Sequence, residues 1–136
     1  MTIPIEDVGV PVPLWLSQFL LPLELEYIDG RNWRVAAGFD FESEVLDAIV
    51  SIPVDFVTDF ASIPRAFWSL LPPTGTYGKA AVVHDFLYRT PGFATRAQAD
   101  AVLREAMEIL NVGWLTRQII YRGVRLGGSS SYKGGL

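Results

Sequence analysis

A helix written through residues 77–89, YGKAAVVHDFLYR, has almost no polar face. Ala80, Ala81, Val82, Val83, Phe86 and Leu87 spread apolar groups around its whole circumference, so it must lie inside the fold with other elements packed around it. Yet it carries His84, the one histidine of the chain, directly beside Asp85. An ionised carboxylate in such surroundings is costly unless it is paired or bound to a cation. The pair therefore predicts partners elsewhere in the sequence.

The next helix offers one. Residues 94–111 begin at Thr95, with Gln98 three positions on as in a capping box, and end at Asn111 and Gly113. Asp100, Leu103, Met107 and Leu110 share one edge of the apolar stripe. The connection Arg89–Ala94 is short, which predicts that the two helices run antiparallel and in contact and that Asp100 can reach His84. A third helix, WLTRQIIYRGVRLGG, follows and ends at Gly127-Gly128. Upstream, DFASIPRAFWSLLPP (59–73) reads as a helical segment with Asp59 or Ser62 as cap and Pro64 in its first turn, closed by Pro72-Pro73.

Residues 23–58 change period. LELEYI (23–28) alternates, Asp29-Gly30 is a hairpin signal, and NWRVAAGFDF (32–41) answers as the returning strand. VLDAIVSI (45–52) and VDFV (54–57) form a second pair across Pro53. The expectation is an α+β fold: a small antiparallel β-sheet over about 23–58, then a three-helix half whose antiparallel pair carries the His-Asp motif. One domain, 1–136, would have an N-terminal arm, 1–22, and a flexible Gly/Ser-rich tail, 127–136.

Composition bounds the function. Residues 1–60 hold eleven acids against two bases, and residues 61–136 hold four against nine, a split of −9 and +5. The halves either attract one another or present faces of opposite sign to partners. The overall acidic balance argues against general nucleic-acid binding. With no cysteine, disulfides and thiolate zinc sites are excluded. The apolar run 14–23 is interrupted by proline and shorter than the roughly 20 residues of a membrane span, and no signal peptide is evident. The arm 10–25 is expected to pack on the core or on a neighbouring subunit.

The chemistry these residues could carry is hydrolysis. His84 is the candidate base, with Asp100 fixing its tautomer and Tyr88 one turn along the same helix face. Asp85, pointing about 100° away from His84, and Asp59, where strand gives way to helix, are the candidate ligands of a divalent cation. Each residue also has a structural reading. His84 would be a satisfied core histidine, Asp85 a partner of Arg89 or of an arginine on the third helix, and Asp59 a cap. Asp100 would be an acid favoured by the helix dipole, and Tyr88 a core aromatic.

Three blocks, VTDFASIPRAFW, LLPPTGTYGKAAVVHDFLYR and TRAQADAVLREAMEILNV, resemble in order an uncharacterised domain family found largely in tailed phages and prophages. The resemblance covers about residues 50–126 and implies a phage setting, in the host cytoplasm or in the assembled virion. HDFLYR followed by an aspartate on the next helix also resembles the core of the phospholipase A2 superfamily. That likeness implies His84 as the base that activates water, Asp85 as a calcium ligand, Asp100 as the orienting aspartate and Tyr88 as its support. The glycine-rich calcium loop is replaced by PPTGTYG (72–78), and no cysteines tie the helices together.

Together these give a metal-assisted hydrolase of a lipid ester or a cell-wall (peptidoglycan) bond, with calcium as first cation and zinc as second. The alternative is a non-enzymatic virion or tail-associated protein that docks on phage structural proteins through residues 10–25. A regulator of host proteins is a third reading.

Overall fold

The computed structural model describes residues 12–69 and 78–132. The start of the predicted arm, the Pro72-Pro73 stop, all of PPTGTYG except Gly78, and the tail beyond Tyr132 lie outside the described residues. The order of elements is α1 (Leu14–Phe19), β1 (Leu25–Asp29), β2 (Asn32–Val35), β3 (Phe39–Ser43), β4 (Ala48–Ile52), β5 (Val57–Thr58), α2 (Gly78–Arg89), α3 (Arg96–Ile109) and α4 (Trp114–Gly127). The fold is α+β, with antiparallel strands first and the three long helices after them.

The strands form two small sheets, where one was expected. β1 and β2 pair antiparallel around Asp29-Gly30, and β5 joins the far edge of β2. Gly30 adopts the positive φ the hairpin turn requires. β3 and β4 pair separately. The predicted strand 32–41 breaks at Ala36–Gly38 because the backbone there crosses close to the end of β4. A Cβ on Gly38 would stand 2.9 Å from the Ile52 carbonyl oxygen. Beyond Pro53, residues 54–55 turn with Asp55 at positive φ, and only Val57 and Thr58 return to extended pairing.

β3 alternates as a half-buried strand should, with Phe39, Phe41 and Ser43 inward. Val50 and Ile52 of β4 face the same core. Onto this face α1 sets Phe19, wholly buried, with ring centroids 4.9 Å from Phe41 and 5.9 Å from Phe39. Trp15 meets Phe41 edge-on at 5.6 Å. The inner side of the apolar arm is therefore taken up by the chain's own core, while Leu14, Leu20 and Leu21 stay exposed. Lys79 at the head of α2 ties the two halves, donating to the Gln18 carbonyl at 2.6 Å over the ring of Phe39.

α2 is buried from Gly78 to Asp85 and again at Leu87 and Tyr88, as its sequence requires. The link Thr90–Thr95 returns α3 against it. α3 starts in the expected capping box: Thr95 Oγ1 accepts from the Gln98 amide and the Gln98 side chain accepts from the Thr95 amide. Asn111, at positive φ, stops it. α4 and its C-cap lie close to their neighbours at two glycines, Gly123 within the helix and Gly128 just after it. A Cβ on Gly123 would overlap the ring of Phe67, and one on Gly128 would stand 2.7 Å from the Tyr88 hydroxyl.

Two expectations are corrected here. Between 59 and 69 the described helical structure is a single 3-10 turn, Arg65–Phe67, capped by neither Asp59 nor Ser62. The predicted flexible tail is held as far as Tyr132. Its ring packs edge-on to Tyr88 at 5.3 Å, its hydroxyl donates to the Ala94 carbonyl, and Ser131 donates to the Ala61 carbonyl at 3.1 Å. An aromatic with a polar tip found both a ring and an acceptor, which glycine and serine content does not reveal.

Candidate functional site

Asp100 is the centre of a buried polar hub. One carboxylate oxygen accepts from His84 Nε2 at 2.7 Å and from the Tyr88 hydroxyl at 2.5 Å. The other accepts from Arg125 Nη1 of α4 at 2.8 Å, with Arg96 Nη1 at 3.8 Å. Helical spacing makes this possible: His84 and Tyr88 are four apart on α2, as are Arg96 and Asp100 on α3. The His84 and Tyr88 rings lean on each other with centroids 4.2 Å apart. His84, Asp100 and Tyr88 are thus brought together as their spacing predicted.

His84 is 0 % exposed. Ionised Asp100 can only accept, so Nε2 carries the proton that it donates. Nδ1 faces Ser62 Oγ at 3.0 Å, and in the neutral ring it accepts from that hydroxyl. Ser62 was read in the sequence only as a cap; no periodicity could link it to a histidine 22 positions away. A tight turn places it. Thr58 Oγ1 accepts from the Phe60 amide at 3.1 Å and Asp59 Oδ1 accepts from the Ala61 amide at 2.9 Å. Phe60 takes φ +58, a left-handed conformation costly for a bulky residue and held here by burial of its ring.

Asp85 and Asp59 form a second group. Thr58 donates to Asp85 Oδ2 at 2.7 Å, and Arg89 Nε lies 3.4 Å from the same oxygen. The Arg89 guanidinium also donates to Asp59 Oδ1 and to the Val57 carbonyl. The positive charge between these carboxylates is an arginine from the same helix, four residues along.

Environment separates the two buried acids. Burial alone would push the Asp100 carboxyl up, but hydrogen bonds from His84, Tyr88 and Arg125 outweigh it and hold it below the ordinary carboxylate range. Burial pushes Asp85 up, and the Thr58 hydrogen bond and Arg89 charge only partly offset this. The Tyr88 hydroxyl is raised by burial and by donating to Asp100, so it stays protonated.

The signs are opposite. Asp100 contributes stability above its unfolded-state value of about 3.9, lost as pH falls through its lower folded value. Asp85 destabilises the fold as pH rises past the unfolded value towards its raised folded value, where it is forced to ionise. Asp85→Asn should therefore gain stability relative to the parent chain as pH rises from about 4 to about 7; thermal unfolding at both pH values measures this, and a constant difference contradicts it.

The predicted cation site can be tested against these donors. Calcium takes about 6–8 oxygen ligands and zinc about four N, S or O ligands. Both His84 nitrogens are engaged, Asp85 and Asp59 close on Arg89, and no group of three His, Cys, Asp or Glu side chains able to hold a metal forms among the described residues. Among the described residues, the side chains at His84, Asp85 and Asp59 are engaged with one another's neighbours and do not converge as a cation's donor set.

An α+β chain whose helices close on a buried Ser62–His84–Asp100 hub defines a fold and a motif, and no reaction. The chain belongs to the family described as "Protein of unknown function (DUF1353)", which it matches over residues 33–124. No curated protein and no solved structure matches it.

Proposed function

We propose that the chain is a non-catalytic component, a rigid body whose Asp100 hub holds the helices in register and whose outer faces make contacts. The observation that supports this most is the His84 imidazole, enclosed by the protein with a partner on each nitrogen. A general base has to reach a substrate proton or a water, and this ring is spent on its neighbours. In the phage setting that the motifs suggest, such a component would sit in or beside the virion or tail.

One observation favours a second reading. Ser62 Oγ, His84 and Asp100 stand in a hydrogen-bonded line, the arrangement that activates a serine nucleophile. On that reading the chain hydrolyses a lipid ester or a cell-wall bond, with Ser62 attacking and without a resident cation.

Ser62→Ala separates the two, because it removes only one hydroxyl. Parent and variant are incubated with p-nitrophenyl esters, phospholipid vesicles and peptidoglycan, with calcium, zinc or chelator present. The non-catalytic reading expects the same background rate from both proteins. It is overturned by hydrolysis that Ser62→Ala abolishes while the variant keeps its melting temperature within a few degrees. A melting point raised by calcium or zinc in the parent chain and unmoved in Asp85→Asn would instead restore a metal site.

A further inference from the structure

α4 carries an apolar stripe that nothing among the described residues covers. Leu115, Ile119 and Leu126 are 65 %, 39 % and 88 % exposed, and with Arg122 they fall at spacings of four, three and four, one side of a helix. Such a seam normally faces another element. Arg122, on that side of the helix, takes part in no ion pair among the described residues.

Elsewhere, an open groove of about 770 Å³ runs between α3 and the β3–β4 hairpin. Its apolar lining is Trp15, Ile49 and Ile109, and Glu42, Asp47 and Glu108 stand among its acids. None of these three acids has an ion-pair partner among the described residues. The buried indole N–H of Trp15 has no acceptor there either. No α4 residue lines the groove, so the chain does not fill it with its own stripe.

The two surfaces are complementary: among the described residues one is apolar with an arginine, Arg122, that makes no ion pair, and the other is apolar with carboxylates that make none. We propose that the groove of one copy receives the α4 stripe of a second copy, a head-to-tail contact that gives the −9 and +5 halves of the chain a common use. Because the two patches differ, the contact is heterologous: it repeats around a ring if the rotation closes and along an open array if it does not. This rests on the non-catalytic reading above and supplies its partner.

Sedimentation velocity of the full chain, at about 5 to 200 µM and at low and high salt, tests it. The expected result is a mass that rises with concentration and falls as salt screens the charges. Glu108→Lys and Arg122→Glu should each weaken association at least about tenfold, because each sets like charges against one another across the contact. The double variant, which restores opposite charges in swapped positions, should recover it. A monomer throughout the range at low salt, or association that neither reversal weakens, overturns the proposal. Either outcome leaves the non-catalytic reading standing, since that reading depends on the Ser62→Ala comparison.

Discussion

Asp100→Ala is expected to cost about 3–5 kcal/mol, because removing one partner of a buried charge network leaves the others uncompensated. Arg125 loses its acceptor, and the His84 N–H and Tyr88 hydroxyl are left buried without theirs. Against a total stability of about 5–15 kcal/mol this is a large share, and the melting temperature should fall by roughly 10–20 °C. Tyr88→Phe is the control. It deletes one donor while Asp100 keeps His84 and Arg125, so its cost should be near 1 kcal/mol, the usual net worth of one hydrogen bond (about 0.5–1.5 kcal/mol). Thermal and urea unfolding of the three proteins measure the ordering. An Asp100→Ala chain as stable as its parent would mean that the hub is not structural, and the case for a catalytic role would reopen.

Phe19→Ala is expected to cost about 3–5 kcal/mol, the range for deleting a buried phenylalanine ring. The reason is local: Phe19 is wholly buried between Trp15, Phe39 and Phe41, and its loss opens a cavity under α1. Leu21, two residues on, is exposed, and Leu21→Ser should stay within about 0.5 kcal/mol. Urea unfolding distinguishes them. If Phe19→Ala were as mild as Leu21→Ser, the apolar arm would belong to a neighbouring molecule and not to this core.

The helical half was legible because helices announce themselves locally. A capping box, a short link and an all-apolar stretch are patterns within a few residues, and α2, α3 and α4 lie where those patterns put them. His84, Tyr88 and Asp100 followed from spacing on two adjacent helices. Arg96 could have been added by the same rule, four residues before Asp100. Ser62 and Arg125 could not, since they reach the hub through a strained turn and a third helix whose placement is a tertiary fact.

The metal ligands expected at Asp85 and Asp59 lie against Arg89, the bland partner that an i,i+4 reading had offered for Asp85. The strands were harder. Residues 32–41 read as one returning strand, and only the close passage of β4 shows why the chain changes sheets at Gly38. The hold on Tyr132 was invisible for the same reason: its partners, Tyr88 and Ala94, are distant in sequence.

The Asp100 carboxylate bonds directly to side chains of α2 and α4 from its own position on α3, and through His84 it engages the turn before α2. No one of these helices can drift outward alone without stranding a desolvated charge. Slow breathing of this half should therefore occur as one collective event, and the strand ends that bond to it, Thr58 to Asp85 and Ser43 to Glu105, should open with it.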